Sequence, residues 1–294
     1  MDLESPTHDE IRQIMAEYGI HPLVGQELVG PTLRPKVEIY PNFIYLILHF
    51  PTLRQKHSKG LVEQQEIDFI IGKDFLITSR YGKVDPLHQF SKLFEVNSIL
   101  DHGDMNEHAG FVFFYMIRAL YERLSNELEY VNDSIREIED KVFKGKERTM
   151  VIKISEVSRE ILGFRRATSL HKEVLESFDI AARRFFGENF MYHTKAIIGE
   201  YCKLSNQIES CREAVSELRE TNNSLLDTRE TETMKRLTIV AFLTLPASVI
   251  ANFFQMGTFH TPIIGMPNDW LILMLVMFCG TVCLFAWGKW KKWY

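Results

Sequence analysis

The four cysteines (Cys202, Cys211, Cys279 and Cys283) form no CxxC pair. That removes a zinc ribbon or a disulfide framework from consideration and fits a reducing cytosol. There is no excess of positive charge either: the formal net charge is −5, whereas nucleic-acid binding calls for a basic face. The opening MDLESPTHDE is acidic and has no apolar core, unlike a signal or transit peptide. No GxxxxGK[ST], GxSxG, HExxH or GxGxxG spacing occurs, and no nucleophile is paired with a base. Neither an ATP-driven engine nor an enzyme active site has its residues here, and no catalytic residue is assigned.

Charge is also missing from two long stretches. Over 294 residues, enough for one or two domains, the composition is ordinary: 25% charged and 46% hydrophobic. The distribution is not, because residues 1–236 hold 31 of the 34 Lys and Arg. Leu237 to Met256 is a run of twenty residues without a charge, and Trp270 to Trp287 is a second of eighteen. At ~1.5 Å rise per residue, each run reaches across a hydrocarbon core of ~30 Å, the second with little slack. Lys235 and Arg236 precede the first run; Lys289, Lys291 and Lys292 follow the second; the link from Gly257 to Asp269 has no Lys or Arg. The positive-inside rule then leaves both termini in the cytoplasm and the short loop outside. Trp270, Trp287, Trp290 and Trp293 stand where an interfacial aromatic belt is expected.

The first hundred residues alternate like a small α/β domain. Asp9 to Gly19 has helical spacing (Ile11, Ile14, Met15, Tyr18) and is stopped by His21-Pro22. Val37–Tyr40, Phe43–Phe50, Glu66–Ile71 and Phe75–Ser79 read as strands, the last two joined by a hairpin turn at Gly72-Lys73-Asp74. Pro86 opens another helical stretch, Leu87 to Ile99. The cluster Asp101-His102-Gly103-Asp104 with Glu107-His108 has metal-ligand residue types, and is read mainly as a loop capping the next helix.

From Ala109 to Phe143 the apolar spacing is helical, and it is again from Met150 to Leu175. Lys144 to Thr149 (KGKERT) suits a tight turn between antiparallel helices. Asp179 to Leu237 contains no proline and only Gly187 and Gly199 as glycines. The pattern therefore predicts a helix running unbroken into the first apolar run, on the order of 100 Å long. A helix of that length needs a bundle to stabilise it.

The sequence thus divides into an α/β cytosolic domain (1–108), a cytosolic helical stalk (109–236), a first transmembrane helix (237–256), an outer loop (257–269), a second transmembrane helix (270–288) and a basic cytosolic tail (289–294). The expected fold is a mainly α membrane protein with an N-terminal α/β domain.

Steps of three and four along the first span collect Thr231, Met234, Thr238, Ala241, Leu245, Ser248, Asn252 and Gln255. Most of that stripe is small or polar, whereas the other faces are mostly Leu, Ile, Val and Phe. Two amides in a span belong against a bundle interior or water, so the stripe is assigned to line a pore. Helix–helix glue is the competing reading. Traced back into the stalk, the stripe reads Glu213, Glu217, Glu220, Ser224 and Asp227. A neighbouring apolar stripe (Leu204, Ile208, Cys211, Val215, Leu218, Leu225) supplies inter-helix packing. In a symmetric assembly the acids become carboxylate rings that attract cations, and on a lone helix they are a solvated face. Carboxylate, amide and water are hard oxygen ligands suited to Mg²⁺, Ca²⁺ or Mn²⁺. No engine is needed for uptake, since a divalent ion gains roughly 4.6 kcal/mol per 100 mV of inside-negative potential.

Several segments resemble the CorA family of divalent cation transporters. Met234-Lys235-Arg236-Leu237-Thr238-Ile239 is similar to the family's approach to its first span. Leu245-Pro246 with Ile250-Ala251, Met266-Pro267 with Asn268-Asp269 in the outer loop, and the ending Lys291-Lys292-Trp293 are similar as well. Weaker similarity covers nearly all the rest, through His21-Pro22-Leu23, Pro35-Lys36-Val37 and the run from Ile67 to Thr78. The resemblance implies a funnel-shaped homopentamer in the cell (inner) membrane, with first helices around a pore and second helices outside them. It also implies metal sensing by acids of the funnel, assigned to Glu213, Glu217, Glu220 and Asp227. The family's Gly-Met-Asn signature falls at Gln255-Met256-Gly257, where only Met256 is retained. The outer mouth is therefore assigned to Gln255, Met256, Gly257 and Asp269, with Gln255 or Asn252 supplying an amide ring. The zinc-transporting ZntB-like branch also varies this signature, and His260 lies in the outer loop, so Zn²⁺ stands beside Mg²⁺, Co²⁺ and Ni²⁺ as the transported ion. The expected partners are further copies of the chain and membrane lipid, with no nucleic acid and no organic cofactor. The alternatives are a non-conducting membrane metal sensor or scaffold and, in third place, an enzyme on a hairpin anchor.

Overall fold

The computed structural model describes residues 1–52, 63–81, 108–255 and 268–290. They form two compact units, Met1–Asn222 and Asn223–Tyr294. The helix expected from Leu87 to Ile99 and the acidic cluster from Asp101 to Glu107 lie outside the described residues.

A five-stranded sheet organises the first unit: β1 (Asp2–Glu4), β2 (Lys36–Ile39), β3 (Phe43–Thr52), β4 (Glu63–Gly72) and β5 (Leu76–Arg80). The strand order is β1-β5-β4-β3-β2. Only β1 and β5 pair in parallel. Strand β3 reads Phe43-Ile44-Tyr45-Leu46-Ile47-Leu48 without a polar break because both faces of the sheet are covered. One face meets α1 (His8–Tyr18) and α2 (Pro22–Glu27) through Ile11, Ile14, Val24, Tyr45, Ile47, Ile70 and Ile77. The other meets helices α3 (Ala109–Phe143), α4 (Glu147–Thr168) and α5 (His171–Phe186). There Phe69 packs edge-on to Phe113 at 5.3 Å, and Phe113 meets Phe178 at 4.9 Å.

Local signals fix the ends. Thr7 and Glu10 close a capping box on α1, with Thr7 N–H donating to Glu10 Oε2 at 2.7 Å, and Gly19 ends the helix at φ 65°. His21-Pro22 does more than stop α1: His21 caps α2 by accepting from Leu23 N–H, and Pro22 takes the first helical position, which needs no donor. His108 caps α3 by accepting from Gly110 N–H at 3.1 Å. Gly145, at φ 89°, turns the chain between α3 and α4.

Two expectations are corrected. The helix predicted from Met150 to Leu175 is two, α4 and α5, parted at Ser169 and Leu170. The helix predicted to run unbroken from Asp179 also breaks. Gly187 sits at φ 102°, ψ 161°, a conformation open essentially to glycine alone. A 3₁₀ turn at Glu188–Phe190 follows, and α6 (Met191–Gln255) begins after it. The Asp179 carboxylate bridges the break by accepting from the Thr194 hydroxyl and pairing with Arg183. Helix α6 has 65 residues; its N-terminal part belongs to the first unit and the rest to the second, which also contains α7 (Asp269–Trp290).

Candidate ion-conduction helix

In the first unit α6 has a buried side and an open one. Leu204, Ile208, Cys211, Val215 and Leu218 are buried at heptad spacing, each worth up to about 1.5–3 kcal/mol when fully removed from water. Burial, with no countering charge, also raises the Cys211 thiol, so it packs as a small neutral side chain. The seam carries one polar member that the sequence reading passed over. Asn222 is 1% exposed, and its Oδ1 has no hydrogen-bond partner. Its spacing, seven residues after Val215, was the available signal. Glu213, Glu217 and Glu220 face solvent on the other side.

In the second unit the stripe side chains Met234, Thr238, Ala241, Leu245, Ser248 and Asn252 are exposed, as is Asp227. The apolar faces are exposed too: Leu237, Val240 and Val249 are all more than half open. Among the described residues, side chains of both kinds are thus left uncovered by the single chain. Within the stripe the hydroxyls are engaged locally. Thr238 Oγ1 donates to the Met234 carbonyl at 2.8 Å, and Ser248 Oγ donates to the Thr244 carbonyl at 3.0 Å. Such bonds to the preceding turn let a hydroxyl sit in apolar surroundings with its proton satisfied. Pro246 lies inside the helix and contributes no amide hydrogen there. Just before it, Thr244 Oγ1 donates to the Val240 carbonyl at 3.0 Å.

Helix α7 starts at Asp269, behind Asn268 in the left-handed region at φ 70°, whose carbonyl accepts from Leu271 and Ile272 N–H. Trp270, Met274, Leu275, Phe278 and Trp290 are exposed along it. Met256 and Gly257 lie outside the described residues, as do the side chains of Gln255 and Asp269. Among the described residues, no helix is long and apolar enough to cross a membrane. Among the described residues, no three His, Cys, Asp or Glu side chains gather as a metal cage. In one chain, therefore, Glu213, Glu217, Glu220 and Asp227 form no closed site.

The model of the CorA-like Mg²⁺ transporter protein family matches residues 1–292. The chain belongs to that family. The family's Mg²⁺- and Co²⁺-transporting relatives include the cobalt/magnesium transport protein CorA of Thermotoga maritima, 23% identical over 290 residues, which span 97% of this chain and 80% of the relative. The complete structure of the CorA magnesium transporter from Methanocaldococcus jannaschii has the same fold, with a TM-score of 0.86 at 17% identity, covering 100% of this chain and 90% of that one. The ZntB cytoplasmic domain from Vibrio parahaemolyticus is a more distant likeness, with a TM-score of 0.54 at 12% identity, over 79% of this chain and 86% of that one. The family is one of ion transporters, and divalent cation transport is the activity class it brings.

Proposed function

We propose that this chain is a passive conduit for divalent metal ions, with Mg²⁺ first and Co²⁺, Ni²⁺ or Zn²⁺ as alternatives. Copies of it, five by the family resemblance, surround an axis in the inner membrane. The C-terminal part of α6 lines the passage, and α7 lies outside it against lipid. The uncharged runs Leu237–Met256 and Trp270–Trp287 cross the bilayer as a hairpin with both termini in the cytoplasm. One observation carries this reading: the second unit leaves large apolar side chains exposed along both helices, and the same α6 segment carries the stripe Thr238, Ser248 and Asn252. A surface of that kind is covered by lipid and by other copies, and the polar stripe belongs where water remains.

In this assembly Asn252 and Gln255 form amide rings that bind hydrated cations through their water shells, with Met256, Gly257 and Asp269 at the outer mouth. Glu213, Glu217, Glu220 and Asp227 form carboxylate rings at the cytoplasmic side that concentrate cations and sense them. The ion is cargo, and no organic cofactor or catalytic step enters. The test is metal uptake into proteoliposomes across Mg²⁺, Co²⁺, Ni²⁺ and Zn²⁺. Flux of at least one ion, with its selectivity altered when Asn252→Ala and Gln255→Ala are combined, supports the reading. No flux of any of the four sinks it in favour of a metal sensor or scaffold. Unchanged selectivity removes the amide rings.

A further inference from the structure

On strand β4, Glu66 and Asp68 are two residues apart and so share a face of the sheet. Both are covered, at 4% and 0% exposed. Each carboxyl has one oxygen engaged. Glu66 Oε2 accepts from Thr32 N–H at 2.6 Å and from Thr32 Oγ1 at 3.0 Å, and lies 3.2 Å from His49 Nε2. Asp68 Oδ2 accepts from the Tyr81 hydroxyl at 3.4 Å. The remaining oxygens, Glu66 Oε1 and Asp68 Oδ1, are buried without a hydrogen-bond partner. So are the Tyr45 hydroxyl and Ser79 Oγ, the latter on the residue directly opposite Asp68 in β5. An orphaned buried polar atom carries its full desolvation cost, so several in one place point to something that completes them.

The charges around the pair limit what that is. From β3 come His49 and the Tyr45 phenol, and from β5 and its end come Ser79 and Tyr81. From the end of α2 comes Glu27, which pairs with Lys36 at 2.8 Å, while Lys36 also pairs with Glu38 at 2.7 Å. Among the described residues, the ion pairs give Glu66 only His49 and give Asp68 none. Two adjacent buried carboxylates cannot both be ionised on those terms. A divalent ion would need about six oxygen ligands, and no three acidic or imidazole ligands converge here. A proton needs only the two orphaned oxygens.

We propose that Glu66 and Asp68 form a proton-binding site, in which Asp68 holds a proton at neutral pH and donates it to Glu66 Oε1. The bond keeps Glu66 oriented toward Thr32 and so ties the segment between α2 and β2 to the sheet. Burial, then the neighbouring Glu66 carboxyl, hold the Asp68 proton well above the usual carboxylate range. The folded state thus binds a proton that an unfolded aspartic acid releases near ~3.9. The stabilisation is present at low pH and is lost as pH rises through the raised folded value.

The test uses the full-length protein in detergent. Difference infrared spectra at neutral pH should show a protonated-carboxyl stretch that is absent in Asp68→Asn and shifted in frequency in Glu66→Gln, where the acceptor of its proton is changed. Asp68→Asn carries a permanent N–H in place of the shared proton. Its melting temperature should therefore hold as pH is raised above neutral, while that of the parent falls by several degrees. Either variant suffices for the spectrum if the other does not fold. The proposal is overturned if the parent shows no such band, if Mg²⁺ or Mn²⁺ abolishes it and so marks a metal site, or if parent and Asp68→Asn lose stability in parallel.

Discussion

The hydroxyl of Tyr121 lies 2.9 Å from Nδ1 of His171, whose Nε2 lies 2.8 Å from the His49 carbonyl. A carbonyl only accepts, so Nε2 carries the ring proton and Nδ1 takes the Tyr121 hydroxyl. One imidazole on α5 therefore ties α3 to β3 in a core where His171 is fully buried.

Removing the donor leaves Nδ1 buried and unsatisfied. Tyr121→Phe should lower unfolding free energy by about 1–3 kcal/mol, read by denaturation of the detergent-solubilised protein at neutral pH. Burial also pushes His171 down to about 4, against the opposing bond to the His49 carbonyl and with help from the His49 charge. An unfolded histidine takes up its proton near ~6.5, so the contribution is intact above that pH and lost as pH falls toward about 4. His171→Gln should flatten this part of the stability profile.

The covalent chain announces much of this core and little of its chemistry. Strand β3 and helix α3 are written in unbroken runs and three-four spacing, and both fall where the pattern puts them. Strand β1 has three residues, and only Leu3 is buried. Its pairing rests on distant contacts, with Arg80 bonded to Asp2 at 3.0 Å and to Glu4 at 3.3 Å, which no local pattern reveals. Glu66 and Asp68 alternate with Ile67 and Phe69 and so read as a solvent face, although α1, α2 and the segment beyond them cover it. On α6 the polar stripe was legible by spacing, but in a single chain its described side chains from Met234 to Asn252 stay exposed.

The bridge across the α5–α6 break should make a separate acid limb. Burial raises the Asp179 carboxyl, but Arg183 and the Thr194 hydroxyl outweigh that, and the net effect is a lowered value. Its stabilisation is present above the unfolded carboxylate value and is lost as pH falls through the depressed one, below the His171 window. Asp179→Ala should cost about 1–3 kcal/mol at neutral pH from the bond to Thr194, and should remove the lowest limb of a melting-temperature profile.

Two glycines should respond in opposite directions. At Gly187 an added Cβ meets nothing within 4 Å, so the penalty is purely conformational. Gly187→Ala should destabilise by about 1–3 kcal/mol at that φ and ψ. Gly199 lies within α6 and is equally open. Gly199→Ala should stabilise by about 0.4–1 kcal/mol by restricting the unfolded chain. Equilibrium denaturation of the two variants in parallel gives the signs.

Along the proposed conduction stripe, the hydroxyls and the amide should not be equivalent. Ser248 Oγ donates its only proton to the Thr244 carbonyl, so its short side chain is held against its own helix and reaches less far toward a passing ion. The exposed Asn252 amide keeps a carbonyl oxygen and two N–H groups on a flexible side chain. A hydrogen bond to a charged species is worth about 1.5–3 kcal/mol, and ~1.4 kcal/mol on a barrier is a tenfold change in rate. Asn252→Leu should therefore reduce divalent flux in proteoliposomes by about tenfold or more, whereas Ser248→Ala should change it by less than about twofold. Equal losses in the two variants would mean that the stripe acts through helix packing. Retention of full flux in Asn252→Leu would turn that side chain away from the ion path.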